Sequence, residues 1–138
     1  MSAEWNPQAA PEVRGIAPYL QVSDAAGAAD FYKKAFAAEE VGRAPPDDQG
    51  RYLHIHLYIH TGSLMLCDPM PDHGYPLKDP QAFTLHLQVD DAYAWARRAV
   101  EAGCAELVPV QRMFWGDDYG QVKDPYGVLW SFGSAPKS

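Results

Sequence analysis

The chain has 138 residues, 47% of them apolar, and a formal charge of −7. That length supports one domain, or two small modules sharing a core, and the apolar content excludes a disordered chain. The acidic balance argues against a nucleic-acid partner, and neither a basic cluster nor zinc-finger spacing offsets it. Cys67 and Cys104 are the only cysteines. Both sit in apolar patterns, which reads as buried thiols rather than a disulfide. No apolar run approaches the roughly 18 residues of a membrane span, and no basic segment followed by an apolar one marks a signal peptide. The expected location is the cytoplasm, with no membrane partner.

Residues 1–12 are rich in Pro and Ala without a period and read as a flexible tail. Arg14–Val22 reads as a strand with Ile16, Leu20 and Val22 on one face and Ala17, Tyr19 and Gln21 on the other. Pro18 suits an edge position, because it has no N–H for the ladder. Ser23 or Asp24 caps a helix whose buried stripe is Ala28, Phe31, Ala35 and Phe36. Glu39–Ala44 is a weaker strand, followed by a polar turn.

Arg51–His60 alternates most clearly. Leu53, Ile55, Leu57 and Ile59 share one face; Tyr52, His54, His56, Tyr58 and His60 share the other. Thr61-Gly62 turns the chain into Ser63–Asp68. Residues 69–81 carry four prolines and read as a linker without regular structure. Phe83–Val89 is again a strand, with Phe83, Leu85, Leu87 and Val89 opposite Thr84, His86 and Gln88. Asp90 or Asp91 caps a second helix with a stripe of Ala92, Trp95, Ala96, Ala99 and Val100, and Gly103 ends it. The halves repeat: Leu20-Gln21-Val22-Ser23-Asp24-Ala25 corresponds to Leu87-Gln88-Val89-Asp90-Asp91-Ala92. Order, caps and helices agree, so the reading is an α+β fold of two β-α-β-β-β modules, 13–68 and 82–134.

The second module ends in Met113–Phe132, MFWGDDYGQVKDPYGVLWSF. Asp124-Pro125-Tyr126-Gly127 forms a turn between two apolar runs, while Gly116 and Gly120 suggest sharp bends or a close backbone approach. Within this stretch, FWGxxxGxxxDPxGxxW resembles the end of proteins in the glyoxalase / bleomycin-resistance / extradiol-dioxygenase superfamily (vicinal oxygen chelate fold), in its PhnB-like branch. The resemblance implies that mixed sheets curl into a cup-like half barrel with helices on the outer face. It also implies a homodimer, in some members with exchanged modules.

In such a cup the faces opposite the Leu and Ile rows point inward. The expected ligand-binding residues are Tyr19, Gln21, His54, His56, Tyr58, Thr84, His86, Gln88, Trp115 and Ser131, with His60 exposed beside its turn. Trp115 is the foremost candidate for stacking on a ligand, among four aromatics near the bend (Trp115, Tyr119, Tyr126 and Trp130). Enzymes of the superfamily hold a divalent metal on His or Glu at up to four strand positions. The resemblance aligns those positions with Ala17, Thr84, Ser131 and, through the repeat, Leu66. These residues make no site for a catalytic cation, so no metal and no cofactor is expected. A different set, His54, His56 and His86, offers imidazoles instead.

The leading expectation is a bleomycin-resistance-like homodimer that binds a small organic molecule in a metal-free cup, with the acidic surface favouring a cationic guest. The alternative is a glyoxalase- or dioxygenase-like enzyme using a relocated metal or a histidine base. A third reading is a degenerate module whose dimer interface is its whole function. No catalytic residue is assigned. Cys67 and Cys104 lack an activating signature, and Asp117 and Asp118 read as turn residues.

Overall fold

The structure, a computed structural model, describes residue 6 and residues 10–136. The tail expected over 1–12 lies mostly outside the described residues. Among these the element order is β1 (Tyr19–Gln21), α1 (Ala25–Phe36), β2 (Glu39–Arg43), β3 (Ile55–Ile59) and β4 (Gly62–Cys67), then β5 (Leu85–Gln88), α2 (Ala92–Ala102), β6 (Ala105–Arg112), β7 (Asp118–Lys123) and β8 (Leu129–Ser134). The fold is α+β, with two four-stranded mixed sheets of order β1-β4-β3-β2 and β5-β8-β7-β6. In each, the first strand runs parallel to the last and the other pairs are antiparallel. The chain divides into two compact units, the first Met1–Lys33 with Ala37–Lys78, the second Lys34–Phe36 with Asp79–Ser138.

Both helices begin on an aspartate. Asp24 accepts from the Gly27 N–H and Asp91 from the Ala94 N–H through a side-chain oxygen, satisfying donors the first turn leaves open. Helix α2 stops at Gly103 with φ 128°, but α1 stops at Ala37, which takes the left-handed conformation without being glycine. The buried residues of α1 are Ala25, Ala28, Ala29, Tyr32, Ala35 and Phe36. Their spacing is an unbroken helical stripe, and Tyr32 takes the place expected for Phe31, which is only half-buried. Phe36 groups with the second unit, its ring 4.3 Å from Trp130 and 5.9 Å from Phe132. On α2, Ala92, Ala96 and Ala99 are buried, whereas Val100 is 39% exposed and leaves the expected stripe.

Alternation places the core of each sheet. In the first, Leu20, Ile55, Leu57, Ile59, Leu64 and Leu66 are buried on one face. Burial of one such side chain contributes on the order of 1.5–3 kcal/mol. In the second, Val122, Trp130 and Phe132 do the same, with Trp95 of α2 at 6.4 Å from Phe132.

Strand ends depart from the sequence reading, each for a local reason. β1 covers three residues, and Ile16 is fully exposed rather than buried, because Gly15 bends the chain at φ 60°. β3 starts at Ile55 and leaves Leu53 exposed. The backbone just before it is committed elsewhere: Tyr52 N–H donates to Asp68 Oδ2 and Arg51 N–H to Asp47 Oδ1. β5 starts at Leu85 because Ala82 sits at φ 67°, so Phe83 is exposed and Thr84 lies outside the strand. The proline-rich linker contains a 3-10 turn, Pro71–His73, and a single bridge between Met70 and Tyr75.

Candidate functional site

The second unit builds its polar face from β5, β8 and β7. Strand register sets His86 beside Ser131, Gln88 beside Gly133, and Tyr119 on the far side of Gly133. His86 is fixed at both ring nitrogens: Nδ1 lies 2.8 Å from Ser131 Oγ and Nε2 lies 2.8 Å from Gln88 Oε1. The Gln88 amide nitrogen in turn points to Asp117 Oδ2 at 3.4 Å, which orients its oxygen toward the ring. The network therefore assigns the proton to Nε2, with the Ser131 hydroxyl donating to Nδ1. The imidazole stacks on Tyr119, with centroids 5.8 Å apart and planes 18° from parallel. Trp115 meets Tyr119 edge-on at 5.3 Å, and Phe114 meets Trp115 at 4.9 Å. Trp115 is 51% exposed and Phe114 is 97% exposed, an open aromatic surface beside an oriented polar group.

Ser131 is buried, so it supports His86 from below instead of facing a guest. Gly133 was not foreseen as part of this site. A Cβ there would stand 2.6 Å from Gln88 Oε1 and 2.8 Å from His86 Cε1, so the two side chains occupy space that only glycine leaves. Gly116 and Gly120 act as expected. The first bends at φ 105°, and a Cβ on the second would lie 2.8 Å from the Val108 carbonyl, where β6 bulges.

Trp130 is core, not a wall of the site. Its indole N–H donates to buried Asp124 Oδ2 at 2.9 Å, while Asp124 Oδ1 accepts from the Tyr126 and Val128 N–H groups. Asp118 is buried in β7 and pairs with Arg112 at 2.9 Å.

The first unit carries Tyr19, Gln21, His54, His56 and Tyr58 on the corresponding face, together with Ser63, Met65 and Cys67 of β4. The Tyr19 hydroxyl donates to the Leu53 carbonyl at 2.8 Å, so its 2.9 Å contact with His54 Nδ1 is one in which the ring nitrogen donates. Gln21 Nε2 donates to the Tyr75 carbonyl. His56 is buried, with Nε2 2.8 Å from Ser63 Oγ, and its ring meets Tyr58 edge-on at 5.2 Å. Burial lowers the pKa of both His54 and His56; the neighbouring His54 and the Arg14 charge lower His56 further. Burial raises the Tyr19 hydroxyl and the Cys67 thiol. His60 is exposed and turns the chain at φ 55°.

The metal positions implied by the resemblance do not fit a divalent ion. Leu66 is fully buried on the apolar face. The register shows why the repeat misplaced it: Tyr19 pairs with Met65 as His86 pairs with Ser131, so Met65 is the counterpart of Ser131. Ala17, Met65, Thr84 and Ser131 supply no carboxylate, imidazole or thiolate. Of the other set, His54 Nδ1, His56 Nε2 and both nitrogens of His86 are engaged with neighbours. Among the described residues no group of three or more His, Cys, Asp or Glu is placed to hold a metal. A cleft of about 350 Å³ does exist between α2 and β6, lined by Tyr93, Arg97, Val100, Glu101, Glu106 and Val110, on the helix-covered side of the second sheet. No helix of the described residues is long and apolar enough to cross a membrane.

The family model described as Glyoxalase/Bleomycin resistance protein/Dioxygenase superfamily matches residues 14–132. The uncharacterised protein Mb0911c of Mycobacterium bovis is 41% identical over 124 residues, 86% of this chain and 81% of that protein. The crystal structure of protein PA1353 from Pseudomonas aeruginosa superposes with a TM-score of 0.72 at 24% identity, covering 88% of this chain and 98% of that one. A Bacillus cereus protein described as PhnB gives 0.66 at 21% identity, covering 87% and 98%. Paired β-α-β-β-β modules, the matching family model and these relatives agree: the chain belongs to the glyoxalase/bleomycin resistance protein/dioxygenase superfamily.

Proposed function

We propose that this protein binds a small organic molecule on the polar, aromatic faces of its sheets without using a metal, in the manner of bleomycin-resistance proteins. The observation that carries this reading is His86 held between Ser131 and Gln88, stacked on Tyr119 and bordered by half-exposed Trp115. With both ring nitrogens of His86 engaged, the group offers the oriented Gln88 amide and Asp117 carboxylate as polar partners beside stacking area, which suits recognition. Asp117 and the charge of −7 favour a cationic guest. The likeness to the Bacillus cereus PhnB structure supports placement in that branch.

The enzyme reading gains less support. As a base His86 would need a free lone pair, but its Nε2 donates to Gln88 and its Nδ1 accepts from Ser131. A homodimer is part of the proposal. β6 is an eight-residue edge strand with Leu107 47% exposed, beside Tyr93 and Val100 of α2, and a second copy would cover it. A cytoplasmic setting is in keeping with two free thiols.

Native mass spectrometry of protein purified from its own host tests the reading. The expected species is a dimer of the 15.3 kDa chain that retains an organic guest and no stoichiometric metal. Trp115→Ala should then weaken that guest by about 1–3 kcal/mol with folding intact. Unchanged affinity removes the indole from the site, and tightly held metal defeats the metal-free reading.

A further inference from the structure

On the first unit, part of the polar face is already filled, and the occupant is the chain itself. Residues 12–14 cross over β3 and β4 just before the Gly15 bend. Arg14 lays its guanidinium over the Tyr58 ring, the central carbon 3.6 Å from the ring centroid. The Arg14 N–H donates to Ser63 Oγ at 2.8 Å, and the Tyr58 hydroxyl donates to the Glu12 carbonyl at 2.8 Å. Ser63 in turn holds His56. Among the described residues little else fastens this segment. Val13 is 48% exposed, Ile16 is fully exposed, and Gly15 stands at φ 60° with open space around it. Apolar burial does not anchor the strap, so its polar contacts and one cation–π contact must do so.

We infer that residues 12–14 form a lifting strap whose Arg14 is a built-in pseudo-ligand, and that the Tyr58 seat beneath it takes a guest bearing a planar guanidinium-type cation. A guest of that chemistry meets the ring face Arg14 now covers, and reaches it only when the strap lifts. Its apparent affinity is reduced by the fraction of molecules with the strap closed. The inference rests on the binding reading only in treating this face as a guest site; it does not involve His86 or Trp115.

The test uses the full-length protein, with N-methylguanidinium as probe and N-methylurea as its uncharged shape mimic, followed by NMR. In the wild type the Arg14 side-chain protons should show an upfield ring-current displacement that Tyr58→Leu abolishes. Arg14→Ala should strengthen N-methylguanidinium binding about tenfold, and Tyr58→Phe, which keeps the ring but loses the Glu12 bond, should strengthen it less. Arg14→Ala combined with Tyr58→Leu should lose the probe, and N-methylurea should bind none of them. Tyr58 is only half-buried, and the single variant Tyr58→Leu reports separately whether its removal disturbs the fold. Undisplaced Arg14 protons in the wild type overturn the strap. Equal probe affinity in wild type and Arg14→Ala, or equal binding of N-methylurea, overturns the seat. Either failure leaves the Trp115 experiment untouched, so the two readings are separable.

Discussion

Gly133 and His86 stand so close that a single methyl group on Gly133 would fall 2.8 Å from the imidazole Cε1. The glycine lies in β8, one strand over from His86, and the absence of its side chain is what lets the ring lie down toward Tyr119. The site is thus set by the side chain that Gly133 lacks.

Gly133→Ala should push His86 and Gln88 off their present positions. Overpacking of this kind typically costs about 1–3 kcal/mol, read as a lower midpoint in a denaturant melt. The ring protons of His86 should shift in NMR spectra at the same time. A melt and a His86 spectrum both unchanged would show that the sheet yields easily here and that the glycine has no part in the site.

Asp124→Ala should be among the more damaging single changes in the second unit. The buried carboxylate accepts from two backbone N–H groups and the Trp130 indole, and the turn loses all three partners together. Charged hydrogen bonds contribute about 1.5–3 kcal/mol each, though not additively, so a loss of roughly 3 kcal/mol or more is expected. Calorimetry should show it as a clear drop in Tm. A variant within about 0.5 kcal/mol of wild type, the range of a plain surface change, would refute this role.

The first unit should weaken in mild acid. His54 and His56 have pKa values below the ordinary histidine range, mainly through burial, and the Arg14 charge opposes protonation of His56. The unfolded chain therefore binds more protons than the folded one once the pH drops below about 6.5, and stability rises with pH in that window. Full stability is present above it and declines as pH falls through the lowered folded values. Urea midpoints between pH 7.5 and 5 should fall, and His56→Gln should flatten part of the slope. A flat profile over this range contradicts the lowered affinity of these two imidazoles for protons.

Cys104 should be inert in the folded protein. Burial, with the Asp124 charge adding, pushes its thiol up to about 12, so almost no thiolate exists near neutrality. Iodoacetamide at pH 8 should leave it unmodified over hours and label it promptly in denaturant. Rapid labelling of the native protein would place this sulfur at the surface.

Much of this molecule is readable from local chemistry. Asp24 and Asp91 announce their helices because a cap depends only on the next few residues. The alternation from Ile55 to Ile59 announces β3 for the same reason. What stayed hidden depends on pairing between distant segments. Leu53 reads as core, but Asp68, sixteen residues beyond Tyr52, takes the Tyr52 N–H and ends the strand pattern. Leu66 looked like a site position because the repeat offset changes between the halves, and only the β1–β4 register shows that Met65 holds that place. His86 and Ser131 were both singled out in the sequence, but their hydrogen bond spans 45 residues and nothing local joins them. Arg14 crossing Tyr58 had no signal in the chain at all.

In the second sheet β8, the last strand among the described residues, lies between β5 and β7. Among the described residues β5 has no other strand beside it, so it waits unpaired while roughly forty residues of later chain are synthesised. The first sheet has all four strands by Cys67. A growing polypeptide can therefore close its first half early, while His86 gains Ser131 and Gly133 only after β8 has been made. Any stall or truncation before residue 129 would leave β5 unpaired and its apolar residues open to whatever meets them first.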